Sequence, residues 1–265
     1  MNTARLGRIA LRLVTLLILT FVYIPILLIF VYSFNAASNA AWPPAGFTLH
    51  WWGEALRNTG LQQAFATSVS VALGATAIAI VLGTLAAMAV ARYSFFGREA
   101  ISFIVVFPIA LPGIVTGMAL SRTFAQTGFT LGWLSIVVSH ATFCIVLVYN
   151  NAIARLRRTA GSYEEASSDL GADTWTTFSR VTFPQLRSAL FAGALLAFAL
   201  SFDEIIVTIF TAGGVKTLPI WIFQSFRLNN QVPLVNVAGS IAILLSVIPV
   251  YLASRISQGE VTGRV

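Results

Sequence analysis

The stretch that decides the fold is residues 162–184, which read SYEEASSDLGADTWTTFSRVTFP. It is a polar island in a chain that is otherwise apolar and basic. The whole sequence has nine acidic residues, and four of them lie in the first half of this stretch: Glu164, Glu165, Asp169 and Asp173.

The island predicts two short helices with a sharp turn between them. Ser162 followed three residues later by Glu165 is typical of a capping box, with Ser162 as the N-cap of a helix of about two turns. Gly171 suits the left-handed position just after a helix ends. Asp173 is a good N-cap for a second helix over residues 174–179.

Composition places the rest of the chain in a membrane. Of 265 residues, 57% are hydrophobic and 9% are charged, whereas soluble domains carry about 25% charged residues. The mean hydropathy is +0.85. The basic surplus of +7 would suggest nucleic acid in a soluble protein, but here the arginines mark topology, and no nucleic-acid partner is expected. The one cysteine, Cys144, excludes an intramolecular disulfide.

Uncharged intervals predict six transmembrane helices, since a spanning helix needs about 20 apolar residues. The fifth interval is interrupted by Asp203 and Glu204. We therefore expect an all-α membrane protein with a single domain over residues 1–265. The six intervals are 13–35, 58–91, 100–121, 123–154, 188–210 and 228–254.

The positions of the basic residues predict the orientation. With the N-terminus in the cytoplasm, the C-terminus and the polar loop over about 155–187 also face the cytoplasm. Basic residues favour that side, and here it holds twelve of them against Arg57, Arg122, Lys216 and Arg227 outside. The cytoplasmic set is Arg5, Arg8, Arg12, Arg92, Arg98, Arg155, Arg157, Arg158, Arg180, Arg187, Arg255 and Arg264.

Two pairs of small residues predict close helix contacts. Gly113 and Gly117 are four apart on the third span, and Gly83 and Ala87 on the second. Such spacing lets helix backbones approach each other. We interpret both pairs as packing within the chain rather than as a contact between copies.

The polar loop resembles the coupling loop of ABC importer permeases. That family's pattern is E-A-A, three residues, G, nine residues, I-x-L-P, and it lies between two spans as this loop does. The spacing is intact, with a serine at the second alanine position. The stretches FTLHWW (47–52) and SFDEIIVTIFTAGGVKTLPIWIF (201–223) are also similar to this family, the latter to the C-type permease subunit of spermidine/putrescine importers. The matching residues are Glu165-Ala166-Ser167, Gly171 and Val181-Thr182-Phe183-Pro184.

The resemblance implies the type I ABC importer permease fold in a bacterial inner membrane. It implies a second, different permease chain, two ATPase subunits and a soluble or lipid-anchored substrate-binding protein, with a small organic solute such as a polyamine as cargo. The loop would dock on the ATPase, with Glu165 meeting a basic residue; capping alone is the other reading of Glu165. The residues assigned to coupling are Glu164, Glu165, Ala166, Ser167, Asp169, Leu170, Gly171 and Pro184.

No catalytic site or cofactor is expected on this chain. The phosphate-binding pattern G-x-x-x-x-G-K-[ST] does not occur, and Lys216 is the only lysine. ATP and magnesium would therefore bind to the partner ATPase. His50 and His140 have no companions at metal-ligand spacing, so no metal site is expected, and His140 is interpreted as a satisfied helix residue.

Asp203 and Glu204 are the candidate path residues. A charge at the centre of a bilayer costs about 2.5–3.5 kcal/mol on insertion scales, so an adjacent pair predicts a function. One reading is that the pair lines the translocation path and attracts a cation. The other is a carboxylate pair satisfied by neighbouring hydroxyls, amides or an arginine.

The alternative to an importer subunit is a secondary transporter or channel that acts without an ATPase. Such a transporter usually has coupling charges on several spans and often inverted repeats. Here the acidic residues of the spans lie in one span, no repeat is visible, and a channel has no need of a long cytoplasmic loop. A non-conducting scaffold would leave Asp203 and Glu204 unexplained.

Overall fold

The structure is a computed structural model that describes residues 3–39, 41–227 and 231–262. These residues are almost entirely helical, with an isolated antiparallel bridge between Asn35 and Phe47. The predicted start of the sixth span at Leu228, and Arg264, lie outside the described residues. In chain order the helices are α1 (Thr3–Ser33), α2 (His50–Ala55), α3 (Thr59–Arg92), α4 (Arg98–Ala110), α5 (Gly113–Thr127), α6 (Trp133–Arg158), α7 (Ser162–Asp169), α8 (Thr174–Thr177), the π-helical segment π1 (Phe178–Thr182), α9 (Phe183–Asp203), α10 (Ile206–Thr211), α11 (Leu218–Ser225) and α12 (Val232–Thr262).

Five helical segments among the described residues are long and apolar enough to cross a membrane. They are α1, α3, α6, α12 and the run from α8 to the end of α9. The pair α4 and α5 would make a sixth if it counts as one span. The predicted all-α membrane fold is confirmed, and the predicted six spans agree with this count when the pair is included.

The third predicted span is not a continuous helix, so that prediction is wrong in detail. Helices α4 and α5 are bent by 108° relative to each other. Leu111 between them is extended, with φ −82° and ψ 141°. The ring of Pro112 disfavours the helical conformation in the residue before it, and α4 therefore ends at Ala110.

Two further boundaries differ from the prediction. The fourth span begins at Trp133 rather than near residue 123, because α5 runs on until Gly128 ends it with a φ of 70°. The helical run of the fifth span extends from Thr174 to Asp203, so it begins well before residue 188. It stops at Asp203, whereas the predicted interval ran on to residue 210, and the apolar sequence that follows forms the separate short helix α10.

The described contacts divide the chain into two compact units. The small unit comprises Met1–Gln62 and Trp221–Ile243, and the large unit comprises Gln63–Ile220 and Leu244–Val265. The core of the large unit forms around α6, which packs extensively on α9. This core contains Ala75, Ala79, Ala87 and Val90 of α3; Phe143, Cys144, Val148, Tyr149, Ala152, Ile153 and Leu156 of α6; Leu186, Leu190 and Ala197 of α9; and Val207 of α10.

Glycines set the helix spacing in the large unit. A methyl group at Gly83 of α3 would lie 3.0 Å from both the carbonyl oxygen of Ile145 and Cβ of Val148. A methyl group at Gly193 of α9 would lie 3.1 Å from Cα of Val148 in α6. Close packing within the chain is therefore confirmed for the Gly83 pair.

The Gly113–Gly117 pair of α5 also packs within the chain, against α10. A methyl group at Gly117 would come within 2.7 Å of the ring of Phe210, and one at Gly113 within 3.2 Å of the Ile206 side chain. This contact brings the helix after the α4–α5 bend against the helix after Asp203 and Glu204.

In the small unit, Asn35 organises the connection between α1 and α2. Its side chain accepts hydrogen bonds from the backbone N–H groups of Ala37 (3.3 Å) and Ala45 (3.2 Å). Its carbonyl oxygen accepts one from Nε1 of Trp51 (3.0 Å). A buried polar side chain with its bonds satisfied holds an irregular segment in one conformation.

We expect Gly83→Ala to destabilise the large unit by about 1–3 kcal/mol, the usual cost of overpacking a close contact. The new methyl group meets backbone atoms of α6, which cannot turn away as a side chain could. The measurement is the apparent Tm of the detergent-purified protein. Gly53→Ala in α2 is the matched control, since nothing lies within 4 Å of its methyl position. Equal Tm values for the two variants would contradict the packing role.

Candidate functional site

Helix α7 begins one residue earlier in register than the sequence suggested. Gly161 is the N-cap and already has helical angles (φ −63°, ψ −21°), so Ser162 lies inside the helix. The backbone N–H groups of Glu164 and Glu165 donate to the carbonyl oxygen of Gly161. No side chain caps this end. The predicted Ser162–Glu165 capping box is therefore wrong, although the predicted helix is present.

The turn after α7 has the predicted left-handed glycine. Gly171 has a φ of 84°. Its N–H donates to the carbonyl of Ser168 (2.9 Å), and the N–H of Ala172 donates to the carbonyl of Ser167 (3.1 Å). These two bonds form a Schellman motif, which closes the C-terminus of a helix and reverses the chain. A side chain at Gly171 would strain this conformation.

The second helix begins at the predicted cap. Oδ1 of Asp173 accepts a hydrogen bond from the backbone N–H of Thr176 (2.7 Å). Hydrogen bonds from Thr176, first from its hydroxyl and then from its backbone, lower the pKa of Asp173 below its ordinary value. The α-helical part ends at Thr177 rather than near Ser179, and π1 continues to Thr182. Pro184 lies at the start of α9, directly after π1.

Helix α7 has an inner and an outer face, and the predicted coupling residues divide between them. Glu164 and Ser167 are half-buried. Ser167, at the position where the family pattern has alanine, shares a hydrogen bond with Oγ1 of Thr177 (3.0 Å) and so ties α7 to α8. The residues that face outward and are exposed are Glu165, Ala166, Asp169 and Leu170.

Large apolar side chains accompany the outer face. Leu170 is 90% exposed, Trp175 of α8 is 71% exposed and Tyr163 is 60% exposed. Apolar groups next to exposed carboxylates are typical of a surface that a protein partner covers. The backbone of the loop is therefore fixed by hydrogen bonds, and its exposed surface carries both acidic and apolar side chains.

Glu164 makes the charged contacts of the inner face. Its Oε2 lies 3.0 Å from Nε of Arg92, at the end of α3. Its Oε1 accepts a hydrogen bond from Oγ1 of Thr182 in π1 (3.0 Å). The sequence indicated that Arg92 lies at the cytoplasmic end of a span, but it gave no sign of its pairing with Glu164, which is 72 positions further along the chain.

Asp203 and Glu204 have different environments. The Oε1 atom of Glu204 accepts a hydrogen bond from the backbone N–H of Val207 (3.0 Å), so this side chain caps α10. Asp203, the last residue of α9, is exposed, and the described residues offer its side chain no hydrogen bond or ion pair. The Glu204 side chain is thus used in a helix cap, whereas the Asp203 side chain, among the described residues, has no contact that would compete with a ligand.

His140 is a satisfied core residue. Its Nδ1 lies 2.8 Å from Oγ of Ser201, and its Nε2 lies 2.9 Å from Oγ1 of Thr208. Because Thr208 donates its hydroxyl proton to the carbonyl of Glu204 (2.7 Å), we assign the proton to Nε2 of His140. Sequence reasoning missed Ser201 and Thr208, although two hydroxyl residues flanking an acidic pair in an apolar span were the available signal. The described residues contain no cluster of three metal-ligating side chains.

Comparisons with known proteins agree along nearly the whole chain. Residues 79–264 match the family described as binding-protein-dependent transport system inner membrane component. The chain is 33% identical to the putrescine transport system permease protein PotI of Escherichia coli (strain K12), over 98% of this chain and 97% of that one. It is 32% identical to the spermidine/putrescine transport system permease protein PotC of the same strain, over 93% of both chains.

A solved structure shares the fold. A chain of a bacterial ABC transporter involved in the import of the acidic polysaccharide alginate matches with a TM-score of 0.72, at 18% identity, over 98% of both chains. A second structure, of the bacterial alginate ABC transporter in complex with an alginate pentasaccharide-bound periplasmic protein, matches with a TM-score of 0.70 at 12% identity.

We expect Asp173→Ala to fray α8, because the backbone N–H of Thr176 loses its acceptor. Hydrogen–deuterium exchange should accelerate over residues 174–177. Asp173→Asn is the matched control, since its amide oxygen can still accept the same hydrogen bond. Exchange rates that are the same in Asp173→Ala, Asp173→Asn and the unmodified protein would show that this cap does not hold α8.

Proposed function

The chain belongs to the family of binding-protein-dependent transport system inner membrane components, and we propose that it forms half of the pore of an ATP-driven polyamine importer. It is a multi-pass inner-membrane permease subunit with the fold of ABC importer permeases. In the proposed assembly it pairs with a second permease chain, two ATPase subunits and an external binding protein, and the whole chain acts as one permease domain.

The observation that carries the coupling role is the two-faced structure of α7. The inner face is held by Arg92, Thr177 and Thr182, while Leu170 on the outer face is 90% exposed. A helix whose inner face is bonded to the rest of the chain and whose outer face is exposed can transmit force from a protein that binds to the outer face. The ATPase is the proposed occupant of this face.

The chemistry of the outer face defines the partner's surface. Glu165 and Asp169 are acidic, and Ala166 and Leu170 are apolar. We therefore expect a groove with a basic side chain that forms a charge-assisted hydrogen bond to Glu165. ATP and magnesium bind to that partner. This chain has no G-x-x-x-x-G-K-[ST] pattern and supplies mechanical linkage only.

The orientation follows from this docking. If α7 meets a cytoplasmic ATPase, the loop over about 155–187 is cytoplasmic, and so are both termini when the α4–α5 pair counts as one span. The arginine distribution favours the same orientation. Movement of the loop would then alternate the access of the pore between the two sides as rigid bodies rotate.

The polyamine assignment is supported by the similarity to PotI and PotC and by Asp203. The Asp203 carboxylate lies at a helix break, has no partner among the described residues, and would attract a cation. Alkylamines are protonated at neutral pH, since the pKa of such a group is about 10.4. The C-terminal end of α9 adds the negative end of a helix dipole at the same place. Asp203 is therefore the proposed path residue, while Glu204 contributes mainly by capping α10.

Glu165→Lys should reduce uptake on the order of a hundredfold, since like charges placed together at an interface cost several kcal/mol. The measurement is ATP-dependent uptake in proteoliposomes that contain the complete importer, together with the amount of ATPase that co-purifies. Glu99→Lys is the matched control, because it is an exposed carboxylate in the first turn of α4. Full ATPase recovery and normal uptake with Glu165→Lys would refute the docking.

Asp203→Asn should slow the initial uptake of radiolabelled putrescine by about tenfold, equivalent to about 1.4 kcal/mol, without changing the affinity of the external binding protein. Glu204→Gln is the matched control, because its amide oxygen can still accept the hydrogen bond from Val207. If both variants lose the same fraction of the uptake rate, Asp203 has no special place on the path.

A further inference from the structure

Arg92 joins the end of α3 to the end of α6. Its Nη1 lies within hydrogen-bond distance of the carbonyl oxygens of Leu156 (3.3 Å) and Thr159 (3.4 Å). These carbonyls belong to the last turn of α6 and the residue after it, where a helix has acceptors without helical partners. An arginine there also meets the negative end of the helix dipole.

Glu164 joins the same cluster to the coupling loop. It belongs to the first turn of α7 and lies between Arg92 on one side and the buried hydroxyl of Thr182 on the other. Two side chains, Arg92 and Glu164, thus connect α3, α6, α7 and π1. The chain itself connects α7 to α6 and π1, but α3 is joined to α7 by no short stretch of sequence.

The pair is shielded from water. The exposed fraction is 16% for the Arg92 side chain and 24% for the Glu164 side chain. The Nε–Oε2 contact is an ion pair rather than an aligned hydrogen bond, and Nη2 of Arg92 is buried without a hydrogen-bond partner among the described residues. The guanidinium therefore depends on Glu164 for charge compensation. A shielded pair is weakly screened by salt, and removal of one partner leaves an uncompensated charge.

We propose that Arg92 and Glu164 form a strut that stays closed during transport and passes the movement of α7 to α3 and α6. Glu164 is a positioning residue that faces the membrane helices, whereas its neighbour Glu165 faces the ATPase. The strut rests on the proposed function, because it needs a partner that moves α7. In this proposal, Glu165 receives the force from the ATPase and the adjacent Glu164 passes it to Arg92.

The strut makes a prediction that docking alone does not. Loss of the Glu164 charge should leave the ATPase bound and hydrolysing ATP, because the outer face of α7 is unchanged. The movement should then fail to reach the spans, so that uptake per ATP falls by about tenfold, within the usual range of coupling between sites.

The test compares Glu164→Gln and Arg92→Gln with Glu165→Gln in the complete importer. The readouts are the ATPase retained on purification, the rate of ATP hydrolysis, and the radiolabelled putrescine taken up per ATP. Glu164→Gln and Arg92→Gln should retain the ATPase and lose uptake per ATP. Glu165→Gln should lose ATPase retention instead. Normal uptake per ATP in Glu164→Gln would overturn the strut.

A substrate-independent readout keeps the strut separate from the polyamine proposal. ATP should change hydrogen exchange over α7 and over the cytoplasmic turns of α3 and α6 in the unmodified importer. In Glu164→Gln the change over α7 should remain and the change over α3 should disappear. A change that persists over α3 would overturn the strut even if putrescine is not the cargo. Failure of the ATPase to bind the unmodified chain would count against the proposed function itself.

A covalent replacement distinguishes a strut from a contact that only stabilises the fold. Arg92→Cys combined with Glu164→Cys removes both charges, and a short bifunctional maleimide can then link the two positions. The native Cys144 is buried and should not react. Crosslinking should restore uptake per ATP to near the unmodified level. A fully crosslinked protein that still fails to transport would show that the pair must open, and it would overturn the proposal.

Discussion

The structure of the large unit depends on the close approach of α3 and α9 to α6. Gly83 and Gly193 allow this approach, because at each position a methyl group would meet atoms of α6 at about 3 Å. Lipid tails are as apolar as the side chains, so close packing rather than hydrophobic burial holds membrane helices together. Helix α6 leads into the polar loop over residues 162–184 at its C-terminal end. Because α6 is closely packed against α3 and α9, the loop that follows it starts from a fixed position.

Two breaks interrupt this helical frame, at Leu111–Pro112 and at Glu204–Ile205. Irregular backbone at membrane depth is tolerated where it is buried in protein or lines a water-filled cavity. Gly113 and Gly117 bring the helices that follow the two breaks into contact through Ile206 and Phe210. The residues after both breaks thus pack together, and Asp203 is adjacent to this region.

In the polar loop over residues 162–184, some side chains bond to the rest of the chain and others are exposed on the surface. Glu164 and Ser167 secure α7 to the rest of the chain, the Schellman motif at Gly171 fixes the turn, and Asp173 starts the next helix. Glu165 and Leu170 remain free for a partner. The serine at position 167 fits this division, since it forms a bond inside the loop and does not alter the outer surface.

The sequence by itself determined the membrane class, the helical spans, the two short helices of the loop and the positions of Gly171 and Asp173, because these depend on composition and on local backbone chemistry. The resemblance to the family followed from the spacing within the loop, together with the six predicted spans and the stretches at 47–52 and 201–223. Only the tertiary structure decided that Glu164 faces inward and Glu165 outward, that Glu204 caps a helix while Asp203 is left available, and that the third span is broken at Pro112. The predicted capping box is wrong because Gly161, with helical backbone angles, occupies the N-cap position that was predicted for Ser162. The direction of Glu164 is set by groups far away in sequence, Arg92 and Thr182, and a local pattern carries no information about which distant group will be near. The cap by Glu204 and the break at Pro112 depend on groups close in sequence, Val207 and Leu111, but the same local sequence could also have continued as helix.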